Sequence, residues 1–126
     1  SFPTRRSSDL VHSQLAEDVT VSGNASLLEK AIHNILSNAI RHSPEGAEVF
    51  IRLTPSALAV TNTGTSIPEE DLPVLFSPFY RVEKSRNKST GGSGLGLYLV
   101  KTILELHGFQ YRVENTETGV VFTVEF

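Results

Sequence analysis

The sequence contains no cysteine, which removes disulfides and thiolate metal sites and leaves a reducing compartment allowed. No apolar run approaches the roughly 18 residues that a membrane helix needs. The N-terminus has no apolar h-region, so no signal peptide is expected. Positive charge is not in excess either. The formal net charge is -3, which gives no global reason to expect nucleic acid as a partner. There is no internal repeat and no long low-complexity tract. What remains is a chain of 126 residues, 39% hydrophobic, with a mean hydropathy of -0.08. That length and composition suit one soluble domain with a single core.

Periodicity divides the chain. VTVSGN (residues 19–24) reads as a strand end running into a turn. Leu28, Ala31, Ile32, Ile35, Leu36 and Ala39 then recur at helical spacing. Ser26 followed by Glu29 fits a capping box, and Pro44 and Gly46 stop the helix. EVFIRLT and ALAVTN, separated by Pro-Ser, read as a hairpin. Pro68 and three acids open a short helix. Residues 77–94 are a long polar loop of the kind that is usually functional. LGLYLVKTILELHG is a second helix closing on Gly108, and FQYRVEN and GVVFTVEF are strands joined at the turn Thr116–Gly119. The sum is an α/β layer sandwich, with four or five strands on one side and helices on the other.

Three polar features stand out. Asn34, Asn38 and Arg41 share one face of the first helix. They form either a solvated polar face or carbonyl-oxygen ligands for a hard cation, with an arginine beside a phosphate. GGSGLGL opens the second helix. It lacks the Lys-Ser/Thr of a P-loop and the third glycine of a dinucleotide fingerprint. It is either a flexible linker or an anion site at a helix start. Arg81, Lys84, Arg86 and Lys88 lead into it, which makes a triphosphate site plausible.

NILSNAIRHS, VTNTGTSIP, FSPFYRVEKSR and GGSGLGLYLVK, in that order, resemble the N box, first glycine box, F box and second glycine box of bacterial sensor histidine kinases. The resemblance covers residues 19–126 and is to the ATP-binding catalytic domain of that family, in the gyrase, heat-shock-chaperone, histidine-kinase and mismatch-repair superfamily. It implies a Bergerat-type α/β two-layer sandwich: a mixed, mostly antiparallel sheet of about five strands on about three helices. It implies ATP and Mg²⁺ as ligands. Asn38, with Asn34, would coordinate Mg²⁺. Arg41 and Arg81 would contact phosphate as catalytic residues, and His42 would lie near the phosphates or ribose. Asn62 takes the position that recognises the adenine amino group, and Gly64 gives the tight turn beside it. Ile67 and Lys84 belong to the same nucleotide-binding set. The lid, about residues 77–94, would be anchored by Phe76 and Phe79. The backbone of Gly92, Ser93, Gly94, Leu95 and Gly96 would cradle phosphate.

Two positions depart from the pattern. Asn62 replaces the usual Asp, so its bond to adenine is neutral and roughly half as strong. Ser66 replaces a common glycine, which restricts the backbone there. A third position separates activities. ATP-hydrolysing and serine-kinase branches carry a glutamate base four residues before the Mg²⁺ asparagine, and here that residue is Asn34, which cannot act as a base. A histidine acceptor needs less help, because one imidazole nitrogen already has a free lone pair. None of His12, His33, His42 and His107 lies in the family's acceptor motif, so the chain is expected to bind ATP without phosphorylating itself. The acceptor would lie on an upstream helical domain, with a response regulator downstream. The resemblance further implies a monomer with no direct membrane contact, in the cytoplasmic part of a membrane-bound sensor. The alternatives are a pseudokinase or docking module without transfer and an anti-sigma-type serine kinase.

The opening SFPTRRSSDL shows no periodicity. Written as codons it reads TCT TTC CCT ACA CGA CGC TCT TCC GAT CT, the tail of a widely used sequencing adapter. Residues 1–10 are therefore expected to be adapter-derived and the domain to occupy residues 11–126, with VHSQL as the remnant of its first strand. Removing Arg5, Arg6 and Asp9 takes Lys+Arg from 11 to 9 and Asp+Glu from 14 to 13, a net charge of -4. The nucleotide record tests this.

Overall fold

A computed structural model describes residues 10–78 and 96–126. Ser1–Asp9 of the adapter-like stretch lie outside the described residues. So do Phe79, Arg81, Lys84, Gly92, Ser93, Gly94 and Leu95 from the lid and second glycine box.

The chain runs β1 (Leu10–Leu15), α1 (Ala25–Arg41), β2 (Glu48–Leu53), β3 (Ala57–Thr63), a 3₁₀ helix (Glu69–Val74), α2 (Gly96–Leu106), β4 (Gln110–Asn115) and β5 (Gly119–Glu125). The strands form one sheet in the order β1-β2-β3-β5-β4. Only the β1–β2 pair is parallel. Parallel neighbours need a crossover, and α1 supplies it. The two α-helices pack against each other, and α1 lies on β3. This is the expected mixed, mostly antiparallel two-layer sandwich.

Alternation builds the core. β3 buries every second residue, Leu58, Val60 and Asn62. β5 contributes Val120, Phe122 and Val124, and β2 contributes Val49 and Ile51. From the helix layer come Ala31, Ile35 and Ala39 of α1 and Val100, Ile103 and Leu104 of α2. Each fully buried aliphatic side chain contributes about 1.5–3 kcal/mol. Asn62 therefore sits in a position whose two predecessors are aliphatic, on the helix-covered face.

Two local expectations change. Val19–Asn24 form no strand. β2 already pairs with β1 on one edge and β3 on the other, so it has no free edge there, and the chain turns at Asp18 (φ 59°) before reaching Val19. Val19 and Val21 instead line an apolar hollow of about 170 Å³ with Leu28, Leu53 and Phe109. The helix cap is Asn24 rather than a Ser26–Glu29 box. Its side chain accepts a hydrogen bond from Leu27 N at 3.0 Å. Asn24 is placed by a distant contact: its own N–H donates to Nε2 of His107, 3.0 Å away.

Candidate functional site

The site is built around the end of β3. Asn62 is 7% exposed and stands in register between Val49 on β2 and Val120 on β5. Its carboxamide forms no hydrogen bond with any described residue, whereas buried polar side chains ordinarily have a partner. The backbone around it is closely held. A Cβ on Gly119 would strike the carbonyl oxygen of Asn62 and come within 2.7 Å of Thr63 Cα, so glycine lets β5 close on β3 there. Thr63 Oγ1 accepts from Glu48 N at 2.9 Å and ties β3 to β2.

The loop that follows is held by the opposite hairpin. Gly64 turns with φ +79°, a region that favours glycine, and its N–H donates to Thr118 O at 2.9 Å. Three residues on, Ile67 N donates to Asn115 Oδ1 at 2.8 Å, and Asn115 Nδ2 donates to Ile67 O at 2.8 Å. Asn115 Nδ2 also lies 3.3 Å from Glu69 Oε2. The β4–β5 hairpin thus grips the loop at two points. Sequence reasoning missed Asn115 and Gly119. The only local signal was an asparagine ending a strand and a glycine opening the next, which also describes an ordinary turn.

Asn34 and Asn38 lie half-buried on α1 beside Ile35 and Ala39, and neither side chain is hydrogen-bonded to a described residue. Arg41 in the last turn is exposed, and the half-buried His42 caps the helix with its N–H on Asn38 O at 3.1 Å. Buried Ser43 donates from Oγ to Ala39 O at 2.8 Å. Gly96 opens α2, and a Cβ there would meet nothing within 4 Å. No packing among the described residues asks for that glycine. Phe76 packs edge-on to Tyr111 at 5.1 Å and to Phe122 at 5.8 Å, whereas the lid it is expected to anchor lies outside the described residues.

The other histidines make contacts away from Asn62. His12 stacks on Phe50 at 4.8 Å and meets Glu48 at 3.1 Å, and His33 Nε2 lies 3.3 Å from Ser37 Oγ. His107 follows the last turn of α2. Its Nε2 accepts from Asn24 N and its Nδ1 faces Ile103 O at 2.8 Å. On the neutral ring, those bonds correspond to the tautomer with its proton on Nδ1.

A match to the family described as "Histidine kinase-, DNA gyrase B-, and HSP90-like ATPase" spans residues 23–126. The chain belongs to this family. Its relatives within that ATPase family include the sensor protein VanSB of Enterococcus faecalis, 39% identical over 83% of this chain and 24% of VanSB. The sensor histidine kinase CusS of Escherichia coli K12 is 38% identical over 82% of this chain and 22% of CusS. The chain thus spans about a quarter of the length of these curated relatives. Among solved structures, the mycobacterial sensor histidine kinase MprB superposes with a TM-score of 0.82 at 30% identity, covering 96% of this chain and 84% of that one. The histidine kinase ThkA, solved in complex with the response regulator TrrA, has a TM-score of 0.71 at 27% identity over 94% of this chain and 34% of that one. The ATPase-family domain described here is the ATP-binding type carried by sensor histidine kinases, and its sandwich is theirs.

Proposed function

We propose that this domain holds ATP for a two-component sensor kinase and donates its γ-phosphate to a histidine on a helical phosphoacceptor domain. The single observation that supports this most is Asn62. It is a buried carboxamide with no partner among the described residues, at the rim of a loop held rigid by Gly119, Thr118 and Asn115. A polar atom buried without a partner costs about 1–3 kcal/mol. A base edge presented to it removes that cost and is recognised in the same act.

In this reading Asn62 meets adenine, with Gly64 and Ile67 forming the loop against which the ring lies. Arg41 and His42 reach toward the phosphates from the end of α1. The N-terminus of α2 at Gly96, with Gly92, Ser93, Gly94 and Leu95, offers backbone N–H groups to the terminal phosphates. Arg81 and Lys84 supply lid charge. Mg²⁺ fits Asn34 and Asn38. Both are half-buried amides one helical turn apart whose carbonyl oxygens, the hard donors this ion takes, are bonded to no described residue. When bound, Mg²⁺ would supply positive charge to offset that of the transferred phosphoryl. The chain's own contribution is positioning. Asn34 offers no base, so water is not activated and hydrolysis stays slow.

The acceptor histidine lies on another domain, and a response regulator receives the phosphoryl in turn. The domain itself works in the cytoplasm as a monomer, without nucleic acid. No helix among the described residues is long and apolar enough to cross a membrane. The named relatives are sensor kinases, which favours this reading over a pseudokinase or an anti-sigma-type serine kinase.

Calorimetric titration with ATP and Mg²⁺ tests the reading. The protein binds, and Asn38→Ala weakens binding by about 10- to 100-fold, the loss of one charge-assisted contact. Affinity unchanged in Asn38→Ala sinks the metal assignment. Incubation with γ-labelled ATP leaves the chain unlabelled; strong self-labelling refutes the external acceptor.

A further inference from the structure

We propose that Asn62 makes the base site ambivalent, so that it takes 6-oxopurine nucleotides as well as adenine nucleotides. The inference rests on the reading above, in which Asn62 faces the base. It concerns which bases that residue admits.

Three asparagines in the described structure show the contrast. Asn24 is oriented by Leu27 N, which donates to its Oδ1 at 3.0 Å. Asn115 is oriented at both ends, its Oδ1 by Ile67 N and its Nδ2 by Ile67 O, each at 2.8 Å. For neither can the oxygen and nitrogen exchange places without setting like groups against each other. Asn62 is more deeply buried than either, yet no described residue bonds to its carboxamide. Its register neighbours are Val49 and Val120, both buried and aliphatic, which favour neither end. Rotation about its terminal side-chain torsion is broad and nearly two-fold.

A carboxamide offers an acceptor and a donor side by side. Adenine presents a donor, its 6-amino group, next to an acceptor, N1. One orientation of Asn62 matches that pair. A 6-oxopurine presents the reverse: the acceptor O6 next to the donor N1–H. The flipped carboxamide matches that pair equally well. A carboxylate in the same place has acceptors only. It would receive the adenine amino group and set a lone pair against O6. Asparagine at position 62 therefore does more than weaken one hydrogen bond: it removes the element that rejects the oxo group, and rejection of that kind is a main source of specificity.

Titration of the whole chain with ADP and with IDP, each with Mg²⁺, decides the matter. IDP carries the 6-oxo group without the 2-amino group of guanine, so it isolates the edge that Asn62 reads. In the unaltered protein the two nucleotides bind within about tenfold of each other. In Asn62→Asp the preference for ADP over IDP rises by about 10- to 100-fold, as expected for one well-matched pair against a mismatched one. IDP binding more than about a hundredfold weaker than ADP in the unaltered protein overturns the proposal, and that comparison stands even if Asn62→Asp fails to fold. A folded Asn62→Asp with an unchanged preference overturns it as well. Absence of ADP binding altogether would overturn the nucleotide-site reading itself, and this proposal with it.

Discussion

The carboxamide of Asn115 pairs with both backbone polar groups of Ile67, 48 residues earlier, through two bonds of 2.8 Å. It completes by a side chain what a neighbouring strand would otherwise supply. Residues 64–67 are thereby held in place although the chain leaves the sheet after Thr63.

Replacing Asn115 by leucine keeps the bulk and removes both bonds. Stability falls by about 1–3 kcal/mol, the range for two neutral hydrogen bonds with the freed backbone groups partly reaching water. The functional effect is selective. ADP binds about tenfold more weakly, because the loop that meets the base loosens, while inorganic triphosphate binds as before. Calorimetry with both ligands separates the two, and an equal loss for both would show that Asn115 is only structural.

His107 holds two helices in register. Its Nε2 receives the N–H of Asn24 at the cap of α1 and its Nδ1–H donates to Ile103 O within α2. Gly23 leaves room for the ring: a Cβ there would come 2.7 Å from Nε2 and 2.8 Å from Leu28 Cδ1. His107→Ala lowers stability by about 1–2 kcal/mol, with a capping donor left unpaired. Nitrogen NMR of the neutral ring finds its proton on Nδ1. A proton on Nε2 would contradict the bond to Asn24.

Tyr111 donates from its hydroxyl to Glu105 Oε2 at 2.7 Å. Burial first, and then this bond to a carboxylate, push the Tyr111 phenol up to about 12, from an ordinary 10.0. The hydrogen bond from Tyr111, and then that from Lys101, hold Glu105 below its usual value. A raised acid is more easily ionised in the unfolded chain. The Tyr111 contribution to stability is therefore fully present below pH 10 and is lost between pH 10 and about 12. Glu105 has the opposite sign: its contribution holds above the ordinary 4.5 and fades as the pH falls below it. Ultraviolet titration of the chain's three tyrosines should show one phenol ionising last, delayed further than in Glu105→Gln. Ionisation of every tyrosine near pH 10 would disprove it.

Elements whose signals are local were legible. The β2–β3 hairpin follows from alternation broken at Pro-Ser, and the β4–β5 hairpin from alternation broken at Thr116–Gly119. The end of α2 follows from Gly108, which adopts φ +73°. Asn34, Asn38 and Asn62 were made candidates by their place in ordered motifs, and the structure puts the first two on α1 and the third on β3. Val19–Asn24 were misread because their alternation is real but serves packing; a strand also needs an unpaired edge, and periodicity carries no record of that. The cap was misread because Ser26–Glu29 and Asn24 are equally good locally, and a histidine 83 residues away chooses between them.

The sequence by itself determined the hairpins and the main helices, because spacing along the chain sets which residues share a helix face or a strand face, and its ordered motifs carried the resemblance that pointed to the family and made Asn34, Asn38 and Asn62 candidates. The tertiary structure alone decided which polar groups are already committed. Asn115 and His107 are spent on backbone partners far away in sequence, while Asn62 is buried among aliphatic neighbours with its carboxamide bonded to no described residue. A hydrogen bond is fixed by distance and direction in space, and two residues that satisfy it need share nothing in the sequence that would announce the pairing.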